Sequence, residues 1–189
     1  MADYINIRGQ NIEVVASDPA NPTQGQIWYN STSNTLKGKG VSTASWATGG
    51  TMGSPRRKLA GAGTQTAGLA FGGNIPPITG ATEKYDGTSW TTSPASMSTA
   101  RSSLGGAGTQ ASALAFGGSI PPITAATEEY DGISWTSVAG LPTAKTALLG
   151  GGTLSNAFSA GGDTSTAQVT TTEEWTGAGA PTTKTITVS

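Results

Sequence analysis

Residues 56–100 and 101–145 superpose without a gap, and 26 of the 45 positions are identical. No other feature restricts the fold as much, because a period of this length marks one supersecondary unit used repeatedly, each copy burying a face against the next. The strongest stretch is AGLAFGGNIPPITGATEKYDGTSW (67–90), which returns as SALAFGGSIPPITAATEEYDGISW (112–135). A third unit (146–189) is weaker. Its LLGGGTLSNAFSAGG (148–162) matches 103–118 with one deletion, and TTEEW (171–175) matches ATEEY (126–130). Trp175 takes the tyrosine position there, and the later Ser-Trp is missing. Ahead of the first unit, SWATGGTMGSPR (45–56) matches SWTTSPASMSTAR (89–101), the tail of a preceding unit.

Within a unit, short apolar runs alternate with breakers. LAGAGT (59–64), AGLAFGG (67–73), TEKYDG (82–87) and SWTT (89–92) read as four strands, broken by Gly72-Gly73, Pro76-Pro77 and Asp86-Gly87. No stretch long enough for a helix keeps a 3.6-residue period free of glycine and proline, so an all-β chain is expected. Four short strands per unit suit a blade of a β-propeller, which limits exposed sheet edges by radial repetition. Upstream, GQIWYN and TLKGKG around STSN predict a β-hairpin over 25–40. The expected division is an N-terminal arm and hairpin (1–44), then a repeat region (45–189).

Two full units, a degenerate third and an N-terminal sector (hairpin 25–40 plus a strand at 45–50) make about four sectors. Four allow closure within one chain, with TITVS (185–189) pairing near the hairpin. The alternative is an open array whose end blades are buried by association of copies.

Composition narrows the chemistry. With 10 Lys+Arg against 11 Asp+Glu there is no basic field to gather nucleic acid, which is not expected as a partner. Cysteine and histidine are both absent, removing thiolate metal sites, disulfides, and the side chain most used for proton transfer near neutral pH. No stretch approaches the roughly 18 apolar residues of a spanning helix, so neither membrane insertion nor a cleaved leader is expected.

Glu83 and Asp86 recur as Glu128 and Asp131. Paired carboxylates could serve a glycosidase, but an acid and a base need different surroundings, and repetition supplies equivalent ones. Asp-Gly is also an ordinary turn dipeptide. The chain is therefore expected to be no enzyme, with no catalytic residue, metal or cofactor. The glycines of GAGTQ (61–65, 106–110) lack the following helix that a phosphate cradle needs and are assigned to close strand packing. Phe71, Gly72, Gly73, Tyr85 and Trp90, repeated as Phe116, Gly117, Gly118, Tyr130 and Trp135, with Trp175 in the third unit, are assigned to packing between units. Ile75, Pro76, Pro77 and Ile78, with Ile120, Pro121, Pro122 and Ile123, form stiff loops poor in backbone donors, and they are the candidate contact loops.

These residues also carry two resemblances. An apolar run ending in Gly-Gly, then a tyrosine, then a tryptophan, repeated in order, resembles the kelch repeat and implies a kelch-like β-propeller. The hairpin residues Gly25, Trp28, Tyr29, Asn30, Asn34, Leu36 and Lys37 resemble the hairpin module near the start of many tailed-phage virion proteins. Together they imply a structural or appendage protein of a phage particle, in the tail fibre, elsewhere on the tail, or as a capsid decoration. The implied location is the virion and the implied partners are other virion proteins, further copies of the chain, and a host-surface glycan or receptor. A glycan- or receptor-binding propeller module is the alternative, and a propeller enzyme ranks below both.

Overall fold

The structure, a computed structural model, describes residues 12–40 and 44–178. Among these residues the fold is all-β: fourteen strands in four small sheets and no helix. The chain divides into two compact units, Met1–Ala47 and Thr48–Ser189.

The first unit contains a three-stranded sheet of β1 (Glu13–Val15), β2 (Ile27–Asn30) and β3 (Thr35–Gly38), with β2 central. The hairpin expected at 25–40 pairs Ile27 with Gly38 through Asn30 with Thr35. A plain two-stranded hairpin is corrected by β1, which runs parallel to β2 from Glu13↔Trp28 to Val15↔Asn30. An isolated hairpin is marginal in water, and a third strand adds the pairing it lacks.

The second unit repeats one sheet. Its first copy is β4 (Ala60–Thr64), β5 (Ala67–Phe71), β6 (Ala81–Tyr85) and β7 (Trp90–Ser96), antiparallel in that order. The second copy is β8 (Gly105–Gly108), β9 (Ala113–Phe116), β10 (Thr127–Tyr130) and β11 (Trp135–Val138). In the third, β12 (Leu149–Gly152), β13 (Asn156–Ala160) and β14 (Thr172–Thr176) form a sheet of three, and among the described residues β14 is its edge. Strand β7 runs past the expected SWTT and takes in Pro94, which an edge strand tolerates because one side of its backbone has no ladder partner.

The innermost strands stand side by side, with β8 packed between β4 and β12. Glycine permits that approach. A Cβ on Gly106 would sit 2.8 Å from Phe71 and 2.9 Å from the Gly61 carbonyl, and one on Gly150 would sit 2.6 Å from the Gly106 carbonyl. The sheets are also linked through backbone: Ser103 N–H donates to the Lys58 carbonyl, and Ala147 N–H to the Ser103 carbonyl.

Closure of four sectors within one chain is corrected. The described residues of the second unit hold three sheets in an open row, and residues 44–50 form no strand. TITVS and the first eleven residues of the expected arm lie outside the described residues.

Candidate functional site

Tryptophan connects the first two repeat sheets. The Trp135 ring stacks on Tyr130 of its own sheet at 5.0 Å and packs at 4.9 Å against Phe71 of the sheet before it. Its Nε1 donates to Thr82 Oγ1 of that preceding sheet at 3.0 Å. Lys84 lies over the Tyr130 ring and donates to the Gly132 carbonyl, and Gln110 Nε2 donates to the carbonyls of Gly68 and Tyr85. The repeated aromatic pair therefore carries contact between sheets in this copy. In the first copy Tyr85 and Trp90 keep the same 5.0 Å spacing but remain half-buried. Trp175 is also half-buried, and its Nε1 donates to the Leu154 carbonyl.

The repeated glutamates are structural anchors. Glu83 and Glu128 are buried, and each pairs with an arginine from the segment leading into its sheet: Arg56 at 2.8 Å and Arg101 at 2.9 Å. Both arginine side chains are fully buried. Burial pushes each guanidinium below its ordinary value, and the carboxylate partly restores it. Backbone also engages the acids, since Gly53 N–H donates to Glu83 and Ser98 N–H donates to Glu128. In the third sheet Lys145 lies 3.1 Å from Glu173 Oε2, yet that oxygen accepts no aligned hydrogen bond. These cations were not singled out in the sequence. The available signal was their recurrence: Arg56, Arg101 and Lys145 precede Glu83, Glu128 and Glu173 at a nearly constant spacing.

Asp86 and Asp131 sit at the opposite end of the sheets from the Ile-Pro-Pro-Ile loops, in turns. Asp86 Oδ1 accepts from the N–H groups of Ser89 and Thr88, Asp131 Oδ1 accepts from those of Ser134 and Ile133, and these bonds lower both carboxyls. The residue after each aspartate, Gly87 or Gly132, has φ +95°, which the turn requires. No group of three His, Cys, Asp or Glu residues is placed to hold a metal ion among the described residues.

The loops at 75–78 and 120–123 are alike: both proline pairs are exposed, both isoleucine pairs are half-buried, and both Pro-Pro bonds are cis. Isolated bridges Asn74↔Ile78 and Ser119↔Ile123 close the loops at their base. The isoleucines thus anchor tips that present proline. The turning glycines Gly72, Gly73, Gly117 and Gly118 are buried beneath them.

In the first unit, Asp18 organises the sheet. Its Oδ2 accepts from Lys37 Nζ at 2.7 Å, and its Oδ1 accepts from Asn30 Nδ2 at 2.8 Å and Trp28 Nε1 at 3.0 Å. Asn30 Oδ1 in turn accepts from the N–H groups of Thr32 and Ser33, Tyr29 donates to Asn34 Oδ1, and Gly25 turns at φ +82°. These bonds, led by that from Lys37, lower the Asp18 carboxyl to about 2 from an ordinary 3.8. A depressed carboxyl contributes stability that is complete above its ordinary value and disappears as pH falls through its folded value. A carbon-13 carboxyl titration of Asp18 should therefore show a midpoint near 2, and Lys37→Met should move it toward 3.8. A midpoint of 3.8 in the unsubstituted chain would mean that the cluster does not hold in solution.

The opposite face of this sheet is apolar and, among the described residues, exposed. Val14, Tyr29 and Leu36 are register partners on one face, and Ile27 lies two residues from Tyr29 on the same side. Val14 is 67%, Leu36 50% and Ile27 42% exposed, enough to make this face unlike the Trp28 side, where the tryptophan is 6% exposed.

The class that these features define is an all-β repeat protein in which Arg56–Glu83 and Arg101–Glu128 are buried ion pairs and Asp86 and Asp131 shape turns. Compared with known proteins, the chain matches no family model and no curated protein sequence.

Proposed function

We propose that this chain is a structural appendage protein of a tailed-phage particle. The first unit attaches it to another virion protein, and the repeat unit is a row of kelch-like propeller blades. The observation that carries the attachment is the exposed face of Val14, Ile27, Tyr29 and Leu36 on a sheet whose other face is closed by the Asp18 cluster. Exposed apolar area of this kind, concentrated on one side of a small sheet, favours a protein partner over water. The blade reading is supported by three sheets with the same strand order and side-by-side inner strands. The phage assignment rests on the resemblance of the hairpin residues. The exposed proline tips at 76–77 and 121–122 are the outward surface in this reading, suited to a host-surface glycan or receptor.

Particles assembled with Val14→Glu/Leu36→Glu should lose at least about tenfold of this chain, since an apolar anchor at an interface centre carries a disproportionate share of affinity. The denaturation of the repeat unit should be unchanged. Normal incorporation would remove the hairpin face from attachment. In a second arm, serine at all four tip prolines should leave incorporation intact and lower adsorption to host cells. Unchanged adsorption would exclude the tips as the contact surface.

A further inference from the structure

A cleft of about 210 Å³ lies between the second and third repeat sheets, and its walls are repeat equivalents of the residues that seat Trp135 one sheet earlier. Phe116 stands where Phe71 packs on Trp135, Thr127 where Thr82 accepts its indole N–H, and Trp175 where Tyr130 stacks on it. Leu141 takes the place of Met97, and Ser159 that of Ala115. The equivalent side chain is missing because the third unit has no Ser-Trp, and among the described residues its sheet has no fourth strand. Among the described residues the buried Ser159 Oγ has no hydrogen-bond partner, and Glu173 Oε2 has only Lys145, 3.1 Å away and not aligned for a hydrogen bond. Residues 179–189 contain no aromatic side chain.

The chain does carry a Ser-Trp without a sheet of its own. Ser45-Trp46 opens the stretch that matches the fourth strand and exit of a unit, yet residues 44–50 form no strand and Trp46 is fully exposed.

We propose that a second copy of this chain completes the third sheet: its residues 45–50 pair with β14, and its Trp46 enters the cleft. The inference rests on the blade reading above. Tyr130↔Trp135 and Glu129↔Thr136 are the template, so Trp46 of the second copy lies opposite Trp175 and Ala47 opposite Glu174. The next residue, Thr48, falls opposite Glu173 and brings a hydroxyl donor to the oxygen that accepts no aligned hydrogen bond. Glu128 receives that service from Ser98, whose place in the third unit is taken by Pro142, which has no N–H. The edge that β14 presents among the described residues supplies the backbone template for the added strand. Two copies donating to each other bring six sheets together, within the four to eight of closed propellers, whereas a third copy would exceed that range. The exchange also adds cover to the half-buried Tyr85 and Trp90 of the first sheet of each copy.

The chain contains no cysteine, so introduced ones report cleanly. Ala47→Cys and Glu174→Cys chains, mixed at micromolar concentration and oxidised, should give a covalent dimer containing one of each. Trp46→Ala, at a fully exposed site, should raise the dissociation constant of the dimer about thirtyfold or more, as loss of a buried anchor does. A disulfide within one chain of the double variant would show that the strand is supplied in cis and overturn the proposal. Glu129→Cys/Thr136→Cys is the control, because these residues are paired in the second sheet. If the control links and 47–174 does not, the second copy is excluded and the blades stand. If neither links, the blade reading fails and takes the proposal with it.

Discussion

Arg101→Met should destabilise the repeat unit by about 3 to 5 kcal/mol in a urea titration, the usual cost of removing one partner of a buried ion pair. The cost comes mainly from what remains. Glu128 is 1% exposed, with Arg101 2.9 Å away as its counter-ion. Without the guanidinium, Ser98 and Thr99 still donate to the carboxylate, but its negative charge has no counterpart. The Ala115 carbonyl loses its donor as well. Against a total stability of about 5 to 15 kcal/mol for a domain, the loss is large. Arg101→Met/Glu128→Leu should recover most of it, because apolar replacement of the whole pair removes the stranded charge. Arg56→Met should behave similarly, since Glu83 is also nearly sealed. Lys145→Met should cost less: Glu173 is 15% exposed and water can share its charge. A cost below about 1 kcal/mol for Arg101→Met, typical of surface pairs, would show that the site is open to solvent.

The repeat made the strands legible because its breakers are chemical. Gly72-Gly73 and Asp86-Gly87 interrupt the chain where β5 and β6 end, and the strands lie within a few residues of the apolar runs that mark them. The aromatic positions were legible because they recur, but Trp135 is the one that packs between two sheets among the described residues, while Trp90 and Trp175 stay half-buried. Two features were not legible. β1 is three residues long and pairs in parallel with a strand separated from it by eleven residues, so no turn dipeptide announces it. The Arg–Glu anchors were hidden because strand periodicity separates inside from outside by apolarity, and a buried guanidinium violates that rule. The expected closure failed at residues 45–50, whose motif is that of a fourth strand but whose neighbouring sheet is not supplied by the preceding sequence. Sequence similarity identifies a strand's kind, while pairing depends on the available edge.

Trp135→Ala and Trp90→Ala should separate sharply, although the two residues occupy the same repeat position. Trp135 is 9% exposed between two sheets, and removing it leaves a cavity against Phe71 and Tyr130, at a cost of about 3 to 5 kcal/mol. Thr82 Oγ1 also loses the indole donor. Trp90 stacks on Tyr85 at the same distance but is only half-buried, so its removal from an isolated chain should cost about 1 to 2 kcal/mol, from partial burial and the aromatic pair. Chemical denaturation of both variants tests the difference, and equal losses would contradict the burial of Trp135 between sheets. Protein concentration adds a second axis. If copies exchange residues 45–50, the outer face of the first sheet is covered in the dimer. The Trp90→Ala loss should then grow as concentration rises through the dissociation constant, because association stabilises the folded state by mass action. The Trp135→Ala loss, arising within one chain, should hold its value across the same range.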